Sequence, residues 1–361
     1  MKLDQLRQRL TQIDRELIGL AKERQDIVGQ VGAHKIAHGV PTRDYERERD
    51  VLKGARELGE SIGLEPDLAE EIMQLLIRSS LTRQEETRVA AVTEGEGKRA
   101  LVIGGCGQMG AWFVRFLTSQ GFAVDIADPA APASMPDAVT DWRELSPDHN
   151  LIVVAAPIKV TAGILGDLAE QKPKGLILDI GSLKTPLRNE LIRLAEAGCR
   201  VTSIHPMFGP DARLLSSRHV IFVDVGNSAA TEEAKRLFSA TMVEQIEMSL
   251  EEHDRLIAYV LGLSHALNLA FFTVLAGSGE LVPRLKYISS TTFDAQLNVA
   301  SLVAHDNPHL YFEIQALNEY GDTSLEALRL AAERIQTLIA EGDEQGFVTL
   351  MESGRQYLEK R

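Results

Sequence analysis

The sequence predicts a multidomain protein with an all-helical segment, an α/β segment built on a parallel sheet, and a second all-helical segment. Apolar residues recur every three or four positions over residues 1–90, short apolar runs alternate with helical stretches over 99–247, and helical periodicity returns over 248–361. Residues 91–98 are Gly-rich and charged, which is typical of a linker. A chain of 361 residues is also too long for one ordinary core.

The first segment begins with one long amphipathic helix. Its apolar stripe comprises Leu3, Leu6, Leu10, Ile13, Leu17, Leu20, Ile27 and Val31. One helix cannot bury so long a stripe by itself, so the pattern predicts packing against a partner chain. Two shorter helices follow, one from about Asp44 and one from Pro66, whose ring suits a first helical turn.

The second segment alternates apolar runs with helical stretches. The predicted strands are "ALVIG", "AVDIAD", "LIVVAAP", "GLILDIG" and "RVTSIH". Such alternation indicates βαβ units, whose strands run parallel.

A glycine motif follows the first of these strands and opens the next predicted helix. In "VIGGCGQMG", Gly105 permits the tight turn, Gly107 lets a pyrophosphate approach the backbone, and Gly110 lets helix and strand pack closely. About twenty residues later, a carboxylate at the end of the second strand suits the ribose hydroxyls and repels a 2′-phosphate, which favours NAD. The alternative is a Gly-rich turn without a ligand. The expected cofactor-binding residues are Gly105, Gly107, Gln108, Met109, Gly110 and Asp128.

Composition excludes several classes of function. The net charge of −14 argues against a general nucleic-acid-binding protein. Cys106 and Cys199 are too few for a disulfide framework or a structural zinc site, which fits a reducing cytosol, and we expect no metal. No apolar run reaches the ~18 residues of a membrane span, so we expect a cytoplasmic protein without membrane association.

Basic and polar residues form a ladder in the first segment. Arg24 and Lys35 lie eleven residues apart on one face of the long helix, whereas Arg7 is too distant to reach the same small ligand within one chain. It could reach a ligand held by a crossing partner helix. Further members on the two shorter helices are Asp44, Arg47, Glu48, Ser80 and Gln84. The alternative is a solvated charged face.

In the second segment, "SIHPMFGPD" places His205 at the end of an apolar run and encloses it with two prolines and a glycine. A neutral imidazole held by such a turn could accept a proton, since its ordinary pKa is about 6.5. The alternative is a rigid turn that only closes the strand.

Residues 1–90, including "RDYERERDVL", resemble the small all-helical chorismate mutase family. That reaction needs no acid, base or covalent intermediate, only a dianion held in its reactive conformation and stabilisation of charge on the ether oxygen. The resemblance implies that Arg7 comes from the partner subunit, that Arg24 and Arg47 bind carboxylates, and that Lys35 and Gln84 donate to the ether oxygen. It also implies that the ring hydroxyl and the side-chain carboxylate are held by Asp44, Glu48 and Ser80.

The stretches "GGCGQMG", "LDIGSLK" and "HPMFGPD" resemble prephenate dehydrogenase, and the whole chain resembles the bifunctional chorismate mutase/prephenate dehydrogenase family. The resemblance implies that His205 accepts the C4 hydroxyl proton of prephenate as hydride passes to NAD and carbon dioxide is lost, which yields 4-hydroxyphenylpyruvate. Ser182 would hydrogen-bond near the histidine, and Lys184 would be a nearby cation. Ser264 and His265 would line the site, although His265 could instead be an interface residue.

One position departs from the family pattern. The arginine that holds the ring carboxylate in the family falls at or beside Ser301, and no arginine occurs between Arg284 and Arg329. Candidates to replace it are Arg213, Arg284 and Lys286.

Two alternatives therefore stay open: arogenate as the substrate, or a non-catalytic nucleotide- or tyrosine-sensing module that regulates the mutase. We also expect a homodimer formed through both helical segments. Feedback inhibition by tyrosine is an expectation from the family resemblance.

Overall fold

The computed structural model describes residues 2–135, 137–146 and 148–360. These residues form two compact units. The first unit comprises Met1–Ala156, Ile164–Gly181 and Leu191–Glu247, and the second comprises Pro157–Gly163, Ser182–Glu190 and Met248–Arg361. The predicted mutase and nucleotide-binding segments therefore share the first unit. The domain boundaries set by the sequence pattern stay predictions.

Three helices form the start of the first unit: α1 (Leu3–Ala37), α2 (Tyr45–Ile62) and α3 (Pro66–Ala90). Asp44 is the N-cap of α2, and its carboxylate accepts a hydrogen bond from the Arg47 backbone N–H at 3.0 Å. Pro66 occupies the first turn of α3, as expected from its fixed φ. The three predicted helices are confirmed, with starts close to those that the sequence indicates.

The apolar stripe of α1 is solvent-exposed within one chain. Leu3, Leu10, Leu17 and Leu20 each leave about 60% of their surface uncovered. Farther along α1, Gly32 lies against α3, where a Cβ on this glycine would stand 3.1 Å from Gln84 Cγ. Among the described residues, its own chain therefore covers only the C-terminal half of α1. The exposed half agrees with the predicted packing of α1 against a partner chain.

A seven-stranded sheet forms the centre of the first unit, in the order β2-β1-β3-β4-β5-β6-β7. Its strands are β1 (Arg99–Ile103), β2 (Ala123–Ala127), β3 (Leu151–Val154), β4 (Leu176–Asp179), β5 (Arg200–Pro206), β6 (His219–Val223) and β7 (Glu244–Glu247). The first five strands are parallel, which confirms the predicted βαβ units.

The last two strands follow the five that the sequence predicts and do not keep their direction. β6 pairs antiparallel with β5, and β7 runs parallel to β6. The reason is the connection: residues 207–218 join β5 to β6 without a helix, and a parallel neighbour would need a longer crossover.

Helices accompany the sheet: α4 (Gln108–Ser119), α5 (Ile158–Gln171), α6 (Arg188–Glu196) and α7 (Ser228–Leu237). The core contains Phe113 and Leu117 of α4 and Val153, Leu178 and Phe222 of the sheet, all fully buried. Each such side chain contributes about 1.5–3 kcal/mol by leaving water. This packing holds the first turn of α4 against the carboxyl end of β1.

The second unit is helical, as predicted. Its helices are α8 (Leu250–Ile257), α9 (Ser264–Gly277), α10 (Val282–Tyr287), α11 (Thr291–Ala304), α12 (Pro308–Leu317), α13 (Gly321–Glu341) and α14 (Glu344–Glu359). A π-helical segment, Ala258–Leu263, joins α8 to α9.

The continuous helical stretch Leu250–Gly277 corrects the expectation that the chain contains no segment apolar enough for a membrane span. The stretch is 28 residues long. Its most apolar 18-residue window has a mean hydropathy of 1.6, and 17% of that window is buried. Its four charged residues, Glu251, Glu252, Asp254 and Arg255, all lie near its start, and residues 256–277 contain no Asp, Glu, Lys or Arg. Length and composition alone are weak evidence for a membrane, since a helix covered by a partner subunit has the same character.

Candidate active sites

Arg24 and Ser80, two of the predicted mutase residues, contact each other directly. Arg24 Nη1 donates to the Leu76 carbonyl at 3.0 Å and to Ser80 Oγ. Ser80 in turn donates to the same carbonyl at 2.6 Å. Burial lowers the pKa of Arg24, but a guanidinium stays charged at any ordinary pH. The pair therefore places a fixed cation between α1 and α3.

Gln84 lies on α3, one helical turn after Ser80. Its side chain is 8% exposed, and its Nε2 is 3.4 Å from the Ser80 carbonyl. Its Oε1 is buried and has no hydrogen-bond partner among the described residues. Because the two ends of an amide are assigned from their surroundings, one polar atom of Gln84 is available to a ligand in either orientation.

Lys35 lies three residues after Gly32, the α1 residue that packs against Gln84. Its ammonium donates to the Thr42 carbonyl at 2.6 Å. The structure therefore brings Arg24, Ser80 and Gln84 to one α1–α3 interface, and Lys35 lies one turn farther along the same helix.

The α2 residues are engaged differently from the expectation. Glu48 forms a forked ion pair with Arg43, with Nε–Oε1 and Nη2–Oε2 distances of 3.1 Å each. Asp44 caps its own helix, and Arg47 is exposed. Arg43 was missed by sequence analysis, and its position before α2 carries no periodic signal.

Arg7 is exposed near the start of α1 and lies 3.9 Å from Asp4. Seventeen residues of helix separate it from Arg24, about 25 Å at the rise of an α-helix. It does not join the α1–α3 cluster of its own chain.

The nucleotide motif adopts a tight turn between β1 and α4. The glycine with positive φ is Gly104, at +85°, rather than Gly105, to which the sequence analysis gave the turn. Gly105 is required for another reason, because a Cβ there would stand 2.8 Å from Ile126 Cγ2 of β2. A Cβ on Gly110 would overlap the Gly104 carbonyl oxygen, as close helix–strand packing predicts.

The first turn of α4 fits a pyrophosphate. Its N-cap is Gly107, which supplies no capping side chain, so Gln108 and Met109 begin a helix without a side-chain cap. A Cβ on Gly107 would meet a single atom within 4 Å, the Gly104 carbonyl oxygen at 3.2 Å, so this side of the turn is open.

Asp128 follows β2 and is buried. Its two oxygens accept hydrogen bonds from Cys106 N–H at 3.0 Å and Ala130 N–H at 2.8 Å. These bonds orient the carboxylate beside the glycine turn and leave lone pairs for ribose hydroxyls. The uncapped start of α4 and the Asp128 carboxylate therefore fit the pyrophosphate and the ribose of NAD.

His205 is the penultimate residue of β5 and is 4% exposed. It stands opposite Ile221 of β6, and Met207 N–H donates to the His219 carbonyl at 2.9 Å directly after it. This bond continues the antiparallel β5–β6 pairing one residue beyond Pro206, so His205 lies inside the paired end of the strand.

Two polar residues that the sequence analysis missed share this strand end. Ser203 points to the same face as His205, two residues on, and its buried Oγ has no partner in the described part of the chain. Asp179, at the end of β4, stands beside Ser203 in register and is fully buried. An acid that ends an apolar run in "LILDIG" was the available signal.

The remaining dehydrogenase candidates belong to the second unit. Lys184 has 0% of its surface exposed, and its backbone N–H donates to both oxygens of Asp254, at 2.9 and 3.1 Å. Thr185 N–H also donates to Asp254, at 2.6 Å, and His253 Nδ1 lies 2.6 Å from it. Asp254 therefore orders the turn that begins at Ser182, and no pattern along the chain indicates this contact.

The pKa of Asp254 reflects both its burial and its donors. Burial raises it, but hydrogen bonds from His253, Thr185 and Lys184 outweigh burial and hold the pKa below its usual value.

His265 follows the π-helical segment, a distortion often found at functional sites. Its ring stacks on Tyr311 with centroids 3.9 Å apart, and its buried Nδ1 has no described partner. Burial lowers the pKa of His265, against the opposing charge of Asp306. The Tyr311 hydroxyl donates to Asp306 at 3.3 Å. Burial, together with this neighbouring carboxylate, raises the pKa of Tyr311 to about 12. The Ser264 carbonyl oxygen accepts a hydrogen bond from Asn268 Nδ2 at 2.8 Å.

The groups considered as replacements for the family arginine have other contacts. Ser301 is exposed on α11, and its carbonyl oxygen lies 2.7 Å from His305 Nδ1. Arg213 pairs with Glu86 at 2.8 Å, and Arg284 pairs with Glu280 at 3.3 Å. Among the described residues, no group of three or more His, Cys, Asp or Glu side chains could hold a metal ion.

Three family models match the chain in succession. They are chorismate mutase type II over residues 6–85, the prephenate dehydrogenase nucleotide-binding domain over 130–247, and the prephenate dehydrogenase dimerization domain over 249–353.

Two relatives align with almost the whole chain. The T-protein of Enterobacter agglomerans is 26% identical over 351 residues, which cover 96% of this chain and 90% of that protein. The T-protein of Haemophilus influenzae is 25% identical, with 96% and 89% covered.

A solved structure shares the fold of the second and third segments. The prephenate dehydrogenase from A. aeolicus, in complex with hydroxyphenyl propionate and NAD+, is 19% identical, with a TM-score of 0.55 over 73% of this chain and 98% of that one.

These matches do not favour the alternatives of an arogenate substrate or a non-catalytic sensing module. The activities are those of an isomerase and an NAD-dependent oxidoreductase in tyrosine biosynthesis, chorismate to prephenate and then prephenate to 4-hydroxyphenylpyruvate. The chain belongs to the bifunctional chorismate mutase/prephenate dehydrogenase family.

Proposed function

We propose that the two activities use separate sets of residues, one at the α1–α3 interface and one at the carboxyl end of the parallel strands. The observation that carries this division is the position of His205 and of the glycine turn at the carboxyl ends of β5 and β1. In open α/β sheets, ligands bind at that edge. The helical cluster around Arg24 and Gln84 contains no nucleotide motif and suits a reaction that needs only fixed charges.

In the mutase site, Arg24 and Arg47 bind the carboxylates of chorismate, and Arg7 of the partner subunit completes the cation set. Lys35 and Gln84 donate to the ether oxygen as charge develops on it. The buried, unpartnered amide atom of Gln84 supports this role. No proton transfer is required, so rate enhancement comes from positioning and electrostatics.

The polar members of that site bind the remaining groups of the substrate. Asp44, Glu48 and Ser80 together hold the ring hydroxyl and the side-chain carboxylate. The Ser80 hydroxyl donates to the carboxylate, and the Glu48 carboxylate accepts from the ring hydroxyl. Arg43 orients the Glu48 carboxylate through its forked ion pair.

In the dehydrogenase site, Gly105, Gly107, Gln108, Met109 and Gly110 hold the pyrophosphate, and Asp128 holds the ribose. Bound NAD supplies the hydride acceptor. His205 accepts the C4 hydroxyl proton, and burial at the end of β5 excludes water from its ring.

The family resemblance also assigns Ser182, Ser264 and His265, all residues of the second unit, to the dehydrogenase. Ser264 and a neutral His265 bind the substrate. Lys184, which is fully buried, acts through the turn that its backbone forms with Asp254.

The dehydrogenase assignment is tested by NADH absorbance with the purified full-length chain, NAD and prephenate, repeated with arogenate and with NADP. We expect a rate with prephenate and NAD that exceeds the other combinations. A rate with arogenate alone would mean that arogenate, and not prephenate, is the substrate. No rate with either compound would mean that the chain is a chorismate mutase attached to a nucleotide-binding module.

We further propose a cytoplasmic homodimer. The matched dimerization domain and the exposed apolar side chains of α1 and α9 support it, among them Leu10, Leu17, Leu267 and Val274. Sedimentation of the purified chain tests it. Inhibition by tyrosine stays a prediction of the family resemblance, tested by adding tyrosine to the dehydrogenase assay.

A further inference from the structure

The loop of residues 207–218, which follows His205 and leads into β6, is held on one side by α4. Trp112 Nε1 donates to the Ala212 carbonyl at 2.9 Å, and Arg115 Nη2 donates to the Pro210 carbonyl at 3.3 Å. Since α4 is the helix that opens at the glycine turn, the loop is tied to the nucleotide-binding motif.

On its other side the loop is held by the mutase helix α3. Glu85 is 3% exposed, and its Oε2 accepts from Leu215 N–H at 2.7 Å. Its Oε1 accepts from Met242 N–H, just before β7. One buried carboxylate of the mutase segment therefore satisfies two backbone donors of the nucleotide-binding segment. Without it, the buried Leu215 N–H and the partly buried Met242 N–H would each lose this partner.

Two further contacts reach the same loop from the mutase helices. Glu86 pairs with Arg213 at 2.8 Å, in an exposed geometry. Arg43 Nη1 donates to Ser216 Oγ at 2.5 Å, while the rest of its guanidinium holds Glu48. The contact of Glu85 differs from these because it is buried and made to backbone.

A cavity of about 450 Å³ lies under the loop, lined by residues of α3, α4 and the loop itself. Val89, Trp112 and Phe116 form part of its apolar wall. The loop also packs on the core through the buried Leu215 and through Phe208 and Ala212, so hydrogen bonds and packing place it together. Glu85 lines the cavity, and its carboxylate makes charge-assisted hydrogen bonds to Leu215 N–H and Met242 N–H.

We propose that Glu85 is a positioning residue of the dehydrogenase: its carboxylate, supplied by a mutase helix, fixes the 207–218 loop and through it the orientation of His205. The proposal rests on the proposed role of His205 as the proton acceptor. It makes the dehydrogenase dependent on the mutase segment for geometry, without any shared substrate site.

The test compares three variants of the full-length chain: Glu85→Gln, Glu85→Ala and, as the matched control, Glu86→Gln. Glutamine keeps one acceptor oxygen and alanine keeps none. We expect prephenate dehydrogenase kcat to fall about tenfold for Glu85→Ala and less for Glu85→Gln, with the Glu86→Gln rate within about twofold of the parent. The acidic limb of the kcat/KM profile, which reports His205, should shift in the same order.

Two readouts separate positioning from a loss of folding. Chorismate mutase activity of all three variants should stay within about twofold of the parent, and the KM for NAD should be unchanged, because neither site is touched. Parent-like kcat and pH profile in Glu85→Ala would overturn the proposal. An equal loss of both activities in Glu85→Gln, with an unchanged pH profile, would also overturn the proposal. The glutamine variant therefore keeps the test decisive if the alanine variant does not fold. Failure of the His205 assignment is distinguished by His205→Asn, which would then keep the parent rate.

Discussion

Gln84 and Glu85 are consecutive residues on α3, yet their buried side chains serve different parts of the protein. Gln84 packs against Gly32 of α1, whereas Glu85 accepts hydrogen bonds from Leu215 and Met242 of the nucleotide-binding segment. Successive helical residues point about 100° apart, so one helix presents one face to each site. α3 is therefore a structural element of both halves of this enzyme.

Replacement of Arg24 tests the division of labour between the two sites. Arg24→Ala removes the fixed cation that contacts Ser80, so chorismate consumption should fall by about 100-fold or more. NADH formation from added prephenate should stay close to the parent rate. Arg15→Ala, on an exposed part of α1, is the control and should leave both rates unchanged. Equal loss of both activities in the Arg24 variant would mean one shared site.

Replacement of His205 tests the proton acceptor. Asparagine keeps the approximate size but cannot take a proton at neutral pH, so dehydrogenase kcat should fall by about 10²–10⁴-fold with the mutase rate retained. His219→Asn, at the exposed start of the adjacent strand β6, is the control and should keep the parent rate. A parent-like rate for the His205 variant would reduce that histidine to a turn residue.

Replacement of Gly110 tests the nucleotide site. Gly110→Ala places a Cβ on the Gly104 carbonyl oxygen and should force α4 away from β1. We expect NAD affinity, measured by titration, to fall by at least about tenfold while chorismate mutase activity is retained. In the control Gly163→Ala, on α5, a Cβ meets nothing within 4 Å, so NAD affinity should not change. Equal affinities in the two variants would refute the packing argument.

Acid stability tests the buried carboxylate of Asp254. Its pKa is lowered in the folded state, so it stabilises the protein above its unfolded pKa of about 4, and that stabilisation is lost as the pH falls through the lower folded value. Asp254→Asn should cost about 1–3 kcal/mol at pH 7, and the difference from the parent should shrink below about pH 4. Urea unfolding at pH 7 and below pH 4 measures the free energy of unfolding of parent and variant, with the exposed Glu341→Gln as control. A difference between parent and Asp254→Asn that stays the same size below pH 4 would contradict the assignment.

Neutrality of His265 gives a second pH-dependent prediction. Because burial lowers its pKa, the folded protein binds a proton there less readily than the unfolded chain, so stability is lost as the pH falls below about 6.5. An NMR titration should show the His265 ring still uncharged at a pH just below the ordinary histidine pKa of about 6.5. Protonation of the His265 ring at that ordinary value would show that burial has no such effect.

Local features of the sequence determined the helices, the first five strands, the glycine turn with Asp128, and the place of His205 at a strand end. Caps such as Asp44, turn residues and periodicity act over a few residues, so they can be read along the chain. The fold class and both predicted ligand classes followed from these signals together with the family resemblance.

Tertiary structure alone decided the long-range pairs and the direction of β6. Asp254 holds a turn seventy residues before it, Glu85 meets Leu215 130 residues later, and Arg43 reaches Ser216 across 173 residues. Lys184 is buried for the same reason, and Gly104 takes the positive φ because β1, β3 and α4 meet there. Which donor finds which buried carboxylate depends on how distant elements pack, and no pattern along the chain records that packing.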